Sequence, residues 1–330
     1  MPRYQPAGAQ NSPRFEGIST FMRVSHTQIL GAHDVAIVGV PFDTGGSYRV
    51  GARFGPQAVR MGSRLLRPYH PEQGVDVVQS LGLVDYGDLP IIPGSTQRSF
   101  ELIEEGLGVI HESGALPIAI GGDHSIVLPE LRAAARTHGK LGLIHLDAHS
   151  DTWDSYWGER FTHGTPFRRA VEEGLIDIDR AVQVGIRGSL YAPADLDEAQ
   201  QMGFKIISAA QIAAQGLSWT AQRLREVAQG GPVFISFDID FLDPAYAPGT
   251  GTPEIGGVST REAQTLIRQL GPLDVVGMDL VEVIPQYDWA EITAIAGASV
   301  IFEVLALIAS SRQDRLAHLG QPGIVAGGQA

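Results

Sequence analysis

Two features that decide the fold adjoin each other in one stretch of the chain, Leu141-Gly142-Leu143-Ile144-His145-Leu146-Asp147-Ala148-His149-Ser150-Asp151. The first six residues are nearly continuously apolar, which is typical of a strand covered on both faces. The residues that follow carry polar side chains at alternate positions. Because ligands of open α/β sheets bind beyond the carboxyl ends of the strands, this stretch predicts a buried parallel strand that ends at a functional site.

Further short apolar runs and helical patterns alternate along the rest of the chain. With the run just quoted, the strand candidates are residues 34–40, 82–86, 117–120, 141–146, 181–186, 204–207, 233–237 and 274–278. The helical patterns are residues 99–114, 127–138, 166–173, 219–228 and 260–269. This alternation predicts an α/β fold, with a parallel sheet that carries helices on both sides.

No internal repeat or low-complexity linker divides the chain, so we predict a single domain over residues 31–312. Residues 1–30 are rich in Pro, Gly, Gln and Ser, and predict an irregular arm that lies on the domain or on a neighbouring subunit. Residues 313–330 are expected to form a flexible tail. The apolar run 292–309 is interrupted by Glu303, which favours a buried helix over a membrane span.

Composition excludes several classes of function. The 330 residues include 24 Lys+Arg and 37 Asp+Glu, a net charge of −13, which argues against nucleic-acid binding and suits a cationic substrate. Cysteine is absent, which excludes disulfides, a thiol nucleophile and a cysteine-ligated zinc site. The N-terminus lacks the apolar run of a secretory signal, so we expect a cytoplasmic protein without a membrane partner.

Four polar clusters follow strand candidates and are therefore expected at one edge of the sheet. They are Gly121-Gly122-Asp123-His124-Ser125, Asp147-Ala148-His149-Ser150-Asp151, Asp238-Ile239-Asp240 and Glu282. In an extended chain, residues i and i+2 share a face about 6–7 Å apart. Three such side chains bracket two ions more easily than they surround one.

These clusters predict a metal site with two imidazoles and four carboxylates: His124, Asp147, His149, Asp151, Asp238 and Asp240. Oxygen-rich sets suit Mn²⁺ or Mg²⁺ better than Zn²⁺, and the imidazoles favour Mn²⁺. We expect two Mn²⁺ ions about 3.5–4 Å apart, which would ionise a bridging water and make solvent the nucleophile. Any one of these Asp residues alone has a simpler explanation as a helix N-cap or turn residue.

Two further residues are candidates for chemistry. His163 is predicted in a loop, where it either shuttles protons or is an ordinary surface histidine. Glu282 either binds a planar cation through two parallel hydrogen bonds or serves as a structural ion-pair partner. His145, inside a strand, is expected to pack beside the site rather than bind metal. Ser125 and Ser150 have no evident base, which disfavours a serine triad. No phosphate-binding loop is present in the sequence, which disfavours nucleotide binding.

Three of these segments resemble the signature blocks of the ureohydrolases, the family of arginases and agmatinases. The matching residues are Gly121-Gly122-Asp123-His124-Ser125, Asp147-Ala148-His149-Ser150-Asp151 and Ser236-Phe237-Asp238-Ile239-Asp240-Phe241-Leu242-Asp243-Pro244. The similarity covers about residues 15–309. It implies a three-layer αβα fold with a central eight-stranded, mainly parallel sheet, a binuclear Mn²⁺ site, and hydrolysis of a guanidinium to urea and an amine.

The resemblance also implies a role for each site residue. One ion would be held by His124, Asp147, Asp151 and Asp238, and the other by Asp147, His149, Asp238 and Asp240. Asp151 would accept a hydrogen bond from the attacking hydroxide, His163 would help to protonate the leaving amine, and Glu282 would bind the guanidinium. Homo-oligomers, commonly trimers or hexamers, are expected for the family.

The substrate is less closely defined by the resemblance. Arginases carry an Asn at the position of Trp153, so arginine is disfavoured. The segments 15–23, 163–169 and 248–254 resemble the agmatinase branch, which also contains guanidinobutyrase and guanidinopropionase.

The outer pocket is expected to decide among the substrates of this branch. Trp153, Tyr156 and Trp157 should line it together with Arg49 or Arg53, and an arginine that contacts the tail would favour a guanidino acid. An acidic or carbonyl-lined wall would favour agmatine.

We predict hydrolysis of agmatine to putrescine and urea, with 3-guanidinopropionate or 4-guanidinobutyrate as the alternatives. The complete ligand set disfavours a non-catalytic subunit. A related deacetylase, which holds one zinc ion with fewer ligands, is less favoured, and metal stoichiometry separates it from a ureohydrolase.

Overall fold

The structure is a computed structural model that describes residues 8, 12–31, 33–192 and 194–318, with side chains as far as residue 313. Its strands are β1 (Val35–Gly39), β2 (Tyr69–His70), β3 (Val75–Asp76), β4 (Leu83–Asp88), β5 (Leu116–Ile120), β6 (Leu141–Leu146), β7 (Ile176–Ile186), β8 (Lys205–Ser208), β9 (Pro232–Asp238) and β10 (Asp274–Val281). Its α-helices are α1 (Gly55–Ser63), α2 (Val77–Ser80), α3 (Thr96–Glu112), α4 (Val127–His138), α5 (Pro166–Glu172), α6 (Ala194–Gln201), α7 (Ala209–Gln215), α8 (Leu217–Ala228), α9 (Thr260–Arg268) and α10 (Ile292–His318).

Eight strands form one sheet in the order β4-β1-β5-β10-β9-β6-β7-β8, and each pairing between neighbours is parallel. Every strand candidate from the sequence corresponds to a strand of this sheet, and β6 has the predicted bounds. Two strands, β7 and β10, exceed their predicted length by three residues or more. β7 begins at Ile176 because its first residues alternate apolar and acidic, and β10 continues to Val281 past the buried carboxyl group of Asp279.

Helices cover both faces of the sheet and complete the predicted three-layer αβα fold. Helices α1, α8, α9 and α10 pack over one face, and α3, α4 and α5 pack over the other, each around its own cluster of buried aliphatic side chains. The sequence patterns missed α1, α2, α6, α7 and the small antiparallel pair β2–β3. In α1 the reason is local, because Gly55, Pro56 and Gly62 have low helix propensity, although proline suits the first turn.

The structure describes part of the predicted N-terminal arm and part of the predicted C-terminal tail. The domain limits themselves remain a prediction. In the described part of the arm, Phe21 and Met22 are buried against the domain, and the Phe21 N–H donates to the Asp85 carboxylate at 2.8 Å. Helix α10 continues to His318, so residues 313–318, which the sequence assigned to a flexible tail, are helical. Residues 1–7, 9–11 and 319–330 lie outside the described residues.

Helix α10 is also the candidate membrane span of the described residues. Its segment Ile292–Gln313 is long and apolar enough to cross a bilayer, but 78% of the apolar window is buried inside the protein. The helix packs on α1, α9 and the sheet. It is therefore a core helix of this domain.

A buried ion cluster joins α10 to α9 and to β2. The Glu303 carboxylate accepts hydrogen bonds from Arg268 Nε and from His70 Nε2, both at 2.8 Å. The Glu303 side chain is only 2% exposed, whereas Glu72, which pairs with the same arginine at 2.8 Å, is 60% exposed.

We expect Glu303→Ala to lower the free energy of unfolding by about 3 kcal/mol, because it leaves a partly buried guanidinium and an imidazole without their shared acceptor. The matched variant Glu72→Ala should cost less than about 0.5 kcal/mol, since an exposed pair contributes little. Urea denaturation of both variants measures the difference. Equal effects of the two substitutions would contradict a special role for the buried cluster.

Candidate active site

The sheet order brings the four polar clusters of the sequence together. Strands β5, β10, β9 and β6 are consecutive neighbours in the sheet, although β10 comes last in the chain. His124 lies in the loop after β5, Glu282 directly follows β10, Asp238 ends β9 and Asp147 directly follows β6. All four carboxyl ends point to one edge because the strands are parallel.

The loop after β5 reaches the site because Gly122 has no side chain. A Cβ atom at this position would lie 1.5 Å from the carbonyl oxygen of Phe42, so no other residue fits. Asp151 and Glu282 adopt the left-handed backbone region, with φ of 49° and 63°. Such conformations cost about 1–3 kcal/mol in residues other than glycine and are concentrated at functional sites.

The first group of predicted ligands surrounds His124. Its Nδ1 atom lies 3.0 Å from Asp147 Oδ2, 3.0 Å from Asp151 Oδ2 and 3.3 Å from Asp238 Oδ2. His124 is fully buried, and its Nε2 atom lies 2.8 Å from the Ser236 hydroxyl. The Nδ1 atom therefore faces three carboxylates in one small space.

The second group surrounds His149 and shares Asp147 with the first. His149 Nδ1 lies 3.0 Å from Asp240 Oδ2 and 3.5 Å from Asp147 Oδ1. The Asp240 N–H donates to Asp238 Oδ1 at 2.8 Å, which holds these two carboxyl groups beside each other. The structure thus brings all six predicted ligands into two adjoining groups.

His145 lies within ligand distance of the first group, but both of its ring nitrogens have protein partners. Nε2 lies 2.7 Å from Asp147 Oδ2, and Nδ1 lies 3.1 Å from the Gln183 amide nitrogen. This arrangement agrees with the prediction that His145 packs beside the site. The structure adds that His145 contacts the Asp147 carboxylate.

The donor set fits cations. Burial, together with the negative charges of Asp240 and Asp147, raises the pKa of Asp238 well above its usual range. Burial and the charge of Asp147 raise the pKa of Asp240 to about 6. Within the described residues, the buried atoms His124 Nδ1 and Asp240 Oδ2 also make no hydrogen bond. Divalent cations would relieve the carboxylate repulsion and use both of these free ligand atoms.

His163 and Glu282 form a pair beside the ligand groups. His163 Nδ1 lies 3.1 Å from Glu282 Oε1, and the same oxygen accepts the His124 N–H at 3.0 Å. His163 is only 8% exposed, so the alternative of a surface histidine is wrong. Burial lowers its pKa, but the hydrogen bond and charge of Glu282, with the charges of Asp151 and Asp123, raise it to about 9.

A cavity of about 560 Å³ opens onto this pair and the ligand groups. Trp153 and Tyr156, both predicted to bind substrate, lie on its wall with their rings 4.4 Å apart. The predicted arginines are engaged elsewhere. Arg53 pairs with Asp43, with Nε 2.6 Å from Oδ1, and Arg49 stacks over the Tyr287 ring at 4.6 Å.

Three charged residues on the outer wall were not predicted to line the pocket: Asp195, Glu254 and Arg187. Arg187 directly follows β7 and Glu254 lies in the segment 248–254, so both had a positional signal, whereas no motif marks Asp195. The Arg187 guanidinium donates to backbone carbonyl oxygens, among them those of Asp240 at 2.6 Å and Glu254 at 2.9 Å. Ser47, whose hydroxyl lies 2.6 Å from His163 Nε2, was also missed, because no motif marks its loop.

Comparison with known proteins identifies the family of this chain. A profile described as the Arginase family matches residues 33–307. The guanidinobutyrase of Pseudomonas aeruginosa is 46% identical over 308 residues, which cover 92% of this chain and 97% of that protein. The mitochondrial agmatinase of Gallus gallus is 45% identical and covers 92% of this chain and 89% of its own.

A solved structure is similar to this chain in both sequence and fold. The proclavaminate amidino hydrolase from Streptomyces clavuligerus superimposes with a TM-score of 0.88 at 42% identity, over 91% of this chain and 100% of that one. Both the sequence match and the fold therefore extend over nearly the whole protein. The chain belongs to the arginase family and is an amidinohydrolase, a hydrolase that acts on linear amidine C–N bonds.

Proposed function

We propose that this enzyme hydrolyses a linear guanidino compound, most favourably agmatine, to urea and an amine, with two Mn²⁺ ions per subunit. The observation that carries the proposal is the pair of ligand groups that share Asp147 next to the His163–Glu282 pair. One ion would be held by His124, Asp147, Asp151 and Asp238, and the other by Asp147, His149, Asp238 and Asp240. When bound, these ions would lower the pKa of water at the site and so supply a nucleophile at neutral pH.

The other residues bind the substrate and move protons. The Glu282 carboxylate would accept hydrogen bonds from the planar guanidinium and so place its carbon against the ligand groups. Asp151 would accept a hydrogen bond from the attacking water. When the C–N bond breaks, the amine nitrogen would take its proton from His163, which lies 3.1 Å from Glu282 and lines the cavity.

The cavity wall supports agmatine through its charge. Asp195 and Glu254 supply carboxylates, whereas Arg187 is the one Lys or Arg on the wall among the described residues. Its guanidinium already donates to carbonyl oxygens. A cationic tail suits this wall better than a carboxylate.

A guanidino acid is the second candidate, because the similar proteins include a guanidinobutyrase at 46% identity. Tyr156 and Tyr191 line the cavity and offer hydroxyl groups that can donate to a carboxylate tail. The two candidates therefore differ in which part of the wall contacts the tail.

Charge-neutral variants of the wall should separate these candidates. We expect Asp195→Asn and Glu254→Gln each to lower kcat/KM for agmatine roughly threefold to tenfold, since a partly solvated ion pair contributes about 1 kcal/mol. The same variants should leave kcat/KM for 4-guanidinobutyrate unchanged or raise it. The control is Asp197→Asn, on the same helix α6 but outside the cavity wall. A larger loss of kcat/KM for 4-guanidinobutyrate than for agmatine would favour the guanidino acid as substrate.

The proposal as a whole is tested by urea release from agmatine, 3-guanidinopropionate and 4-guanidinobutyrate with Mn-loaded protein. Metal analysis accompanies this screen, since a stoichiometry of one zinc per chain would point to deacetylase chemistry instead. No urea from any of the three compounds would overturn the proposed substrate group. A cytoplasmic location and a trimeric or hexameric assembly remain predictions from the sequence.

A further inference from the structure

His163 has hydrogen-bonding partners on both sides of its ring. Nδ1 lies 3.1 Å from Glu282 Oε1, and Nε2 lies 2.6 Å from the Ser47 hydroxyl. An ionised carboxylate only accepts hydrogen bonds, so this network assigns a proton to Nδ1. Nε2 is then the nitrogen that gains and loses the exchangeable proton, and Ser47 is its partner.

We propose that Ser47 is a positioning residue for His163, whose hydroxyl holds Nε2 in the orientation from which the ring protonates the leaving nitrogen. This inference rests on the proposed function, in which His163 is the proton donor. A ring held only through Nδ1 can pivot about its bond to Cβ. A second hydrogen bond on the opposite side restrains that rotation.

A serine hydroxyl suits both protonation states of the ring. It donates to Nε2 when the imidazole is neutral and accepts from Nε2–H when the ring is charged. The ring therefore keeps one orientation through a catalytic cycle. Ser47 and His163 both line the cavity, so their hydrogen bond lies in the wall around a bound substrate.

The loop that carries Ser47 is anchored to the site at several points. Asp123 Oδ2 accepts the Gly45 N–H at 2.7 Å, and the Gly45 carbonyl accepts the His163 N–H at 3.0 Å. On the other side, Asp43 Oδ2 accepts the Gly51 N–H at 2.9 Å. A Cβ atom on Gly45 would lie within 3.1 Å of both Asp123 carboxylate oxygens, so a larger residue there would disturb the anchor.

This arrangement predicts that Ser47→Ala lowers kcat roughly tenfold to a hundredfold, with KM changed less than about twofold. The loss is smaller than the roughly 10²–10⁴-fold that general acid–base catalysis supplies, because His163 itself is still present. Ser47→Thr keeps the hydroxyl and should restore most of the rate. Metal content should match the wild type in both variants. The control Ser95→Ala, at the start of α3 and without a capping hydrogen bond, should keep full activity.

A double-mutant cycle with His163→Asn tests whether Ser47 acts through the histidine. If it does, Ser47→Ala costs nothing further in the His163→Asn background. Losses that multiply in the double variant, or full activity of Ser47→Ala, would overturn the proposal. The assay uses the guanidino compound that the wild type hydrolyses fastest, so an inactive wild type would count against the proposed function and not against Ser47.

A chemical readout tests the same contact without turnover. Diethylpyrocarbonate acylates unprotonated histidine nitrogens, and mass spectrometry locates the modified residue. With the pKa of His163 raised to about 9, only the small neutral fraction of the ring reacts at neutral pH, and the Ser47 hydroxyl shields Nε2 in that fraction. At one fixed pH, acylation of His163 in the full-length protein should therefore be several-fold faster in Ser47→Ala and near the wild-type rate in Ser47→Thr. An unchanged rate in Ser47→Ala would overturn the inference.

Discussion

Asp238→Asn should abolish binding of a metal pair and lower the rate of urea release roughly 10³-fold. The metal ions would stabilise charge in the transition state by several kcal/mol, and each loss of about 1.36 kcal/mol lowers the rate tenfold. Asp238 Oδ2 lies 3.3 Å from His124 Nδ1, and Oδ1 accepts the Asp240 N–H at 2.8 Å. Asparagine can keep the second contact through its carbonyl oxygen. The substitution therefore removes a ligand charge with little change to the backbone.

The metal-free variant provides an internal check on folding. Because burial and neighbouring carboxylates raise the pKa of Asp238, its ionised form destabilises the metal-free protein at neutral pH. Metal-free Asp238→Asn should consequently melt no lower than metal-free wild type, and added Mn²⁺ should stabilise it much less.

Elemental analysis, thermal melts and urea assays measure these effects. The control Asp179→Asn changes an exposed carboxylate of β7 and should behave as wild type. Two tightly bound ions together with wild-type activity in Asp238→Asn would refute the assignment of the site.

Glu282→Gln is expected to lower kcat/KM about 10²–10⁴-fold while both metal ions stay bound. Glu282 Oε1 accepts from the His124 N–H and faces His163 Nδ1. Glutamine can still accept one of these hydrogen bonds, but it lacks the charge that pairs with a guanidinium and favours the protonated histidine. Both kcat and KM should therefore worsen, since binding and proton transfer use the same carboxylate.

Metal analysis distinguishes this effect from damage to the ligand groups, because Glu282 is not a predicted ligand. Loss of metal in Glu282→Gln would mean that its contact with the His124 backbone is structural. Unchanged kcat/KM would leave Glu282 as an ordinary ion-pair partner, which is the alternative that the sequence left open.

The strands and the motif residues were predictable because their signals are local. Continuous apolar runs mark strands that are buried on both faces, and β6 and α4 have the bounds that their sequence patterns indicate. Helices such as α1 and α6 were missed because they lack a long periodic pattern or contain glycine and proline. Buried acids inside strands, such as Asp279, also interrupt the apolar signal and shorten the prediction.

The outer wall of the cavity could not be predicted in the same way. The sequence offered Arg49 and Arg53 as tail-binding residues, but the structure stacks one on Tyr287 and pairs the other with Asp43. Asp195 instead lines the cavity from a segment with no motif, and Glu254 lines it from the segment 248–254, where the sequence did not indicate a tail contact. Loop side chains depend on long-range packing, which leaves no regular trace in the sequence.

The sequence by itself determined the alternation of strands and helices and the residue types that can hold divalent cations, since both depend on spacing along the chain. Only the tertiary structure decided that β10 lies between β5 and β9, which brings Glu282 to His124 across 158 residues. It likewise placed Ser47 against His163, 116 residues away. Strand order and loop contacts follow from packing the whole chain, and for that reason no local pattern specifies them.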